Sequence, residues 1–446
     1  MLTLLGFGMV IVFMVLIMTK RLSPLVALIM IPILFALIGG FGGPELGAMM
    51  LEGIKTMAPT GVMLMFAILY FGVMIDAGLF DPVVGRIVKA VGGDPLKVVM
   101  GTAILAAFVS LDGDGSTTYM IVVASMLPLY KRLGIDPLTL CCVTMLASGV
   151  MNLTPWGGPL ARAATALHVD PADVFVPLVP SMAAGVAAVI LLSWHLGKRE
   201  RNRLGALKLA PAPLTEQDED RIADSALLPA NGEAEALRRP KLLWVNAALT
   251  VALMICLLMG VLPLSVLFMI FFAIAIVINY PNVKQQRARI GAHAANVIAV
   301  VSLIFAAGIF TGILNGTGMV KAMSDSLLHV LPDGLGPYLA PITAIASMPF
   351  TFFISNDAFY YGVMPVLSEA AQSYGITPVE MARASLIGQP VHLLSPLVPS
   401  TYLLVGLAGV EFGDHQRYTI KWAVAICMVL LAVALLLGVF PLRASL

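Results

Sequence analysis

Two short strings hold most of the side chains in this sequence that could do chemistry. They are Ser110-Leu111-Asp112-Gly113-Asp114-Gly115-Ser116-Thr117 and Phe353-Ile354-Ser355-Asn356-Asp357. Each combines carboxylates with short hydroxyls or an amide, and each interrupts an apolar stretch, at about 95 to 130 and about 336 to 372. Carboxylates in such surroundings must be neutral, paired or metal-bound. Asp112, Asp114 and Asp357 are therefore candidates for coupling to a metal or to protons. Ser116, Thr117, Ser355 and Asn356 suit close approach to the oxygens of an anionic ligand.

Downstream of each string the chain should break a helix, at Met151-Asn152-Leu153-Thr154-Pro155-Trp156-Gly157-Gly158-Pro159 and at Gln389-Pro390-Val391-His392-Leu393-Leu394-Ser395-Pro396. Proline removes a backbone donor and glycine loosens the helix, so main-chain amides and carbonyls become free for a ligand. A half-helix N-terminus suits a carboxylate, and a half-helix C-terminus offers carbonyls to a cation. Asn152, Thr154, Gly157 and Gly158 in the first break, and His392 and Ser395 in the second, join the candidate ligand set. His392 can serve as proton carrier or substrate donor, or make a structural hydrogen bond. Arg162 and Arg383 lie in the same interrupted helices, where an arginine could bind a carboxylate bidentately; Arg383 suits an interfacial anchor equally well.

These residues need elements that carry them into an apolar medium, and the composition supplies such elements. The 446 residues are 59% hydrophobic and only 11% charged, with mean hydropathy +0.96. That much apolar surface cannot be hidden from water in a soluble core, so the expected fold is an all-α polytopic membrane protein. A net charge of +1 gives no basic excess for nucleic acid. Runs of about 20 apolar residues mark about ten spans, near 2–19, 23–42, 60–78, 137–167, 175–194, 243–260, 262–280, 294–315, 378–410 and 419–440. The two acidic strings would form re-entrant hairpins, because turns at membrane depth survive only where protein or a water-filled cavity satisfies them. Basic residues gather on alternate sides: Lys20-Arg21, Arg86, Lys89, Lys97, Lys131-Arg132, Lys198 to Lys241, and Lys284, Arg287 and Arg289 would face the cytoplasm of a bacterial inner membrane. Asp76, near the cytoplasmic end of its run, is expected to cap at the interface.

One long polar segment, about 196 to 242, divides the chain and reads as a cytoplasmic linker, with a short amphipathic helix as an optional feature. It separates a first transmembrane repeat, 1–195, from a second, 243–446. The halves match at a shift of about 240 residues. Gly72-Val-Met-Ile-Asp-Ala-Gly78 corresponds to Gly312-Ile-Leu-Asn-Gly-Thr-Gly318, Gly134-Ile-Asp-Pro137 to Gly375-Ile-Thr-Pro378, and Leu153-Thr-Pro155 to Leu394-Ser-Pro396, with the two acidic tips in the same register. An odd number of spans between the copies would insert them in opposite directions. Inverted repeats with discontinuous helices are the usual build of carriers that bind substrate near the bilayer midplane.

At these same residues the chain closely resembles the CitMHS family of the ion transporter superfamily. The likeness is carried by Ser110-Leu-Asp-Gly-Asp-Gly-Ser-Thr-Thr118, Asn152-Leu-Thr-Pro-Trp-Gly-Gly-Pro159, Phe353-Ile-Ser-Asn-Asp357 and His392-Leu-Leu-Ser-Pro-Leu-Val-Pro-Ser400. It implies uptake of a citrate-metal complex, with a divalent cation of the Mg or Ca type co-transported and protons as the driving ion; no tightly bound cofactor is implied. It also implies kinship with divalent-anion:sodium symporters, whose hairpin tips read Ser-Asn-Thr. Here the second tip reads Ser355-Asn356-Asp357 and the first lacks the Asn, a departure that agrees with protons rather than sodium. Related folds suggest that scaffold helices could pair two copies. The alternative within transport is a proton- or sodium-coupled carrier or exchanger for another organic acid or ion. Enzyme chemistry finds no support: there is no nucleophile elbow, and Cys141, Cys142, Cys256 and Cys427 lie in apolar runs. The remaining histidines, His168, His195, His293, His329 and His415, scatter toward expected loops and span ends.

Overall fold

The structure, a computed structural model, describes residues 1–19, 21–91, 93–113, 115–204, 236–330, 332 and 334–444. All regular elements among them are helical. The first half runs α1 (Leu2–Met18), α2 (Pro24–Ile38), α3 (Gly43–Asp76), α4 (Asp81–Val91), α5 (Pro95–Val109), α6 (Gly115–Leu133), α7 (Pro137–Met151), α8 (Gly158–Leu167) and α9 (Pro171–Leu204). The second runs α10 (Leu243–Leu258), α11 (Leu264–Asn279), α12 (Val283–Gly316), α13 (Met319–Val330), α14 (Leu339–Phe353), α15 (Met364–Gln372), α16 (Pro378–Ser385), α17 (Gln389–His392), α18 (Pro399–Ala408) and α19 (Phe412–Leu436).

Six segments among the described residues are long and apolar enough to cross a bilayer: Gly43–Asp76, Pro95–Asp112, Pro171–Leu204, Pro240–Leu258, Val283–Gly316 and Phe412–Leu436. Shorter apolar helices, α1, α2, α7, α11 and α18, supplement them. Large apolar side chains such as Ile38, Leu191, Trp244, Ile298 and Leu436 stay exposed on the outer surface, as a lipid-facing wall requires. The spans expected at 60–78, 175–194 and 294–315 are the apolar parts of longer helices, each 34 residues. At 1.5 Å per residue such a helix is about 51 Å long, well beyond a hydrocarbon core of about 30 Å. Residues 43–59, between two of the expected spans, form the first part of α3. The apolar runs 137–167 and 378–410 are not continuous helices: the chain leaves α7 at Asn152 and re-enters helix at Gly158, and it passes through α16, α17 and α18 in the second half.

In each half a 34-residue helix, α3 or α12, is followed by a short amphipathic helix, α4 or α13. On α4 the buried positions Val84, Val88 and Val91 form one face, while Arg86 and Lys89 are exposed. The α3–α12 crossing brings backbones together at Gly53, Gly308 and Gly312, where an added Cβ would meet the facing main chain.

Several polar groups between these helices are matched in pairs. Asn246 and Asn279 exchange amide hydrogen bonds of 2.8 Å between α10 and α11. Asp76 does not stand alone as an interfacial cap: it accepts from His293 at 2.9 Å and Arg289 at 3.4 Å, tying α3 to α12. Arg239 donates to the Ala77 and Asn279 carbonyls and so fastens the end of the central segment to the same corner. Of the expected linker, residues 196–204 continue α9, and the amphipathic helix anticipated there falls on 205–235, outside the described residues.

Candidate functional site

The first acidic string turns the chain between α5 and α6. A 3-10 turn, Ser110–Asp112, follows α5, and Gly113 takes a left-handed conformation at φ 78°. A side chain there would be strained, and its Cβ would lie 2.8 Å from Trp156 Cδ1. Ser110 Oγ donates to Thr118 Oγ1 at 3.2 Å and lies 2.8 Å from Ser148 Oγ, so hydroxyls fasten the tip to α6 and α7. The Trp156 indole N–H donates to the Leu111 carbonyl at 2.8 Å, satisfying an acceptor that the turn would otherwise orphan. The same ring packs 5.4 Å from Phe71 of α3 and 5.3 Å from Phe268 of α11, linking the tip to the scaffold.

The second string is built differently. Helix α14 ends at Phe353, Ile354 is extended, and Ser355 Oγ accepts from the Ala358 N–H at 3.1 Å. The chain restarts as a π-helix, Ala358–Val363, before α15. Single π turns inside α-helices occur disproportionately at functional sites. Asn356 Nδ2 donates to Gln389 at 3.4 Å, Gln389 donates to the Tyr360 hydroxyl at 2.9 Å, and Tyr360 donates to the Ser385 carbonyl at 3.3 Å. Asp357 Oδ1 accepts from Arg162 Nε of α8 at 2.6 Å. This ion pair joins the first half of the chain to the second.

The two helix breaks abut. A Cβ on Gly149, in the last turn of α7, would lie 2.9 Å from Pro390 Cα at the second break. His392 Nδ1 lies 2.7 Å from the Thr351 carbonyl, which can only accept. That nitrogen therefore carries the hydrogen, and in the neutral ring Nε2 is left as an acceptor.

Both tips and both breaks open onto one cavity of about 400 Å³, within the size range of small-molecule sites. Of the residues expected from sequence, Asn152, Gly158, Ser355, Asn356, Asp357 and His392 line it. The other described ones are not among the lining residues. Thr154 is buried within the turns of the first break, and Gly157 closes that break over the Asn152 and Thr154 carbonyls. Ser395 is buried and its hydroxyl accepts from the Leu397 N–H, a local turn bond. Ser116 and Thr117 sit in the first turn of α6 and Asp112 is buried in the 3-10 turn, none of them among the lining residues. Asp114 lies outside the described residues. Arg383 anchors, donating to the Asp173 and Val439 carbonyls, whereas Arg162 lines the cavity. Sequence reasoning passed over Ser110, Ser148, Tyr119 and Ser400, which also line it. Ser148 could have been found: it stands one helical turn before Asn152 and so shares its face.

Comparison with known proteins matches this sequence to a family. The family model CitMHS, described as "Citrate transporter", matches residues 13–388. Two proteins of Bacillus subtilis (strain 168) align over 98% of this chain and 99% of their own length: one named citrate transporter at 59% identity, and one named Mg(2+)/citrate complex secondary transporter at 54%. Two solved transporters share the fold. The YdaH transporter of Alcanivorax borkumensis superposes with a TM-score of 0.55 over 88% of each chain at 17% identity. MtrF of Neisseria gonorrhoeae gives 0.61 over 90% of this chain and 85% of its own at 15% identity. With nearly the whole chain matched and such identities to its relatives, this protein is a multi-pass membrane transporter and belongs to the CitMHS citrate transporter family.

Proposed function

We propose that this chain imports citrate complexed with a divalent cation of the Mg or Ca type, in symport with protons, across the bacterial cytoplasmic membrane by alternating access. The observation that carries this reading is the convergence of both tips and both breaks on one cavity whose wall holds a carboxylate, a guanidinium and an imidazole. Fully ionised citrate carries about three negative charges, and chelating a divalent cation leaves roughly one. A wall with Arg162 beside Asp357 suits the complex better than the free trianion. Hard divalent cations take six or more oxygen ligands, and Asp357 is the one carboxylate among the described lining residues. Most of the metal's ligands would then come from citrate and water, so the metal is cargo. The name of the 54% identical relative, an Mg(2+)/citrate complex secondary transporter, supports the same substrate form.

In this reading residues 1–195 and 243–446 are two oppositely inserted repeats joined by the linker 196–242. The tips and breaks move as a transport core against α1 to α3 and α10 to α12. The proton is carried at His392 or at the tip carboxylates. His392, with Nε2 bare until protonated, becomes a donor to the substrate only when it holds the proton, which links the two ligands thermodynamically. Uptake of radiolabelled citrate into proteoliposomes, with Mg²⁺, Ca²⁺ or a chelator outside and with or without a protonophore, tests the reading. Uptake that needs the metal and collapses with the proton gradient supports it. Metal-independent uptake, or uptake driven equally well by sodium, overturns it in favour of an exchanger or carrier for a bare organic acid.

A further inference from the structure

The ion pair across the cavity has an unusual position for a structural bond. Arg162 belongs to α8 of the first half and Asp357 to the second tip, and both line the space where substrate would sit. Their side chains are largely shielded, 24% and 12% exposed. A shielded charge at membrane depth is costly unless matched, so each must have a partner at every stage of a transport cycle. The pair is made through a single contact, Nε to Oδ1, rather than the two parallel bonds an arginine and a carboxylate can form. A single contact leaves the rest of the guanidinium and the second carboxylate oxygen available to new partners.

We infer that Arg162 and Asp357 select the substrate by exchanging partners: on binding, Asp357 turns to the chelated metal and Arg162 takes a citrate carboxylate. This rests on the metal-citrate reading above and names the residues that enforce it. Free citrate would match Arg162 but leave Asp357 facing like charge. A bare cation would match Asp357 but strand Arg162. Only a ligand presenting both a cation and a carboxylate replaces the pair without leaving a charge unmatched, so the site accepts the complex and refuses its components. When the cavity is empty the pair closes on itself, and the carrier can reorient with a neutral site.

The test uses purified full-length protein, with uptake into proteoliposomes and ligand-induced shift of thermal unfolding in detergent as separate readouts. Wild-type protein is first assayed for stimulation by Mg²⁺; if citrate uptake does not need the metal, the metal-citrate reading itself fails. Given metal dependence, Asp357→Asn leaves Arg162 to bind free citrate, and the ratio of uptake with Mg²⁺ to uptake with chelator is expected to fall by about tenfold or more. Arg162→Gln should abolish the thermal shift by the complex. The charge-swapped double variant R162D/D357R keeps an ion pair but exchanges its ends, and it should fold without transporting. Should Asp357→Asn prove too unstable to purify, Asp357→Glu keeps both charges and is expected to retain metal dependence at weaker apparent affinity. An unchanged metal ratio in Asp357→Asn, metal dependence lost in Asp357→Glu, or transport restored by the charge swap at the wild-type ratio would each overturn partner exchange and leave the pair a structural bond.

Discussion

The two tips reach one cavity from the two halves of the chain and are built with different physics. The first is a tightened 3-10 turn held by neutral hydrogen bonds within the first half: Ser110 to Ser148 and Thr118, and the Leu111 carbonyl to the Trp156 indole. The second passes through an extended residue into a widened π-helix, and its polar groups reach outward, through Asn356 to Gln389 and through Asp357 to Arg162. Among the described residues, the first tip presents the Ser110 hydroxyl to the cavity and the second presents the paired charge of Asp357. Of the carboxylates on the described tip residues, that of Asp357 lies in the wall and Asp112 is buried in the 3-10 turn.

This contrast predicts unequal sensitivity to substitution. The largest effect is expected at the charged tip. Asp357→Ala removes the partner of Arg162 and leaves an unmatched guanidinium, a loss on the order of 3 kcal/mol or more in a site this shielded. Thermal unfolding of the purified variant checks it; a melting point close to wild type would show that the charge is matched elsewhere. The next effect lies at the first tip. Gly113→Ala forces a side chain into the left-handed region, costing roughly 1–2 kcal/mol, and drives its Cβ against the Trp156 ring. The loss of stability should come with altered Trp156 fluorescence, and an unshifted spectrum would mean that the ring does not rest on the tip.

Much of this arrangement was legible in the sequence, and the part that was not has a definite physical character. Apolar runs located the spans because lipid admits few polar residues, yet they understated α3, α9 and α12, whose polar ends, with Glu45, Glu52 and Arg201 among them, continue as helix past the apolar stretch. Proline and glycine marked both breaks, since their backbone chemistry acts locally. Side-chain direction was less legible. Thr154 and Ser395 have the right chemistry at the right breaks and are spent on packing and a turn. The Arg162–Asp357 pair spans 195 residues, and no local pattern announces such a partner. Asp76 likewise reads as a lone interfacial acid until α12 brings Arg289 and His293 beside it.

A smaller effect is expected where the first tip meets the scaffold. Trp156→Phe keeps the ring between Phe71 and Phe268 but removes the N–H that the Leu111 carbonyl accepts. A buried acceptor left without its donor costs about 1–3 kcal/mol, and a carbonyl at a turn that can relax belongs near the low end. If the tip must hold its shape against α3 and α11 for transport, uptake falls more than stability does. Equal and small losses in both would separate the tip's position from the scaffold's.

The smallest effect is expected at Ser110, and it sharpens the contrast most directly. Ser110→Ala deletes the hydroxyl that joins Ser148 and Thr118, at a net cost of about 0.5–1.5 kcal/mol. Both former partners keep alternatives, since a serine or threonine in a helix can turn its hydroxyl to the carbonyl one turn earlier. The charged tip has no such reserve, because nothing neutral replaces a carboxylate beside a guanidinium. The ratio of the two losses, Asp357→Ala against Ser110→Ala, therefore measures how far the halves have specialised. A value near one would mean that charge and hydroxyl are interchangeable supports for a turn at membrane depth. A ratio of several would place the larger demand on the Arg162–Asp357 pair.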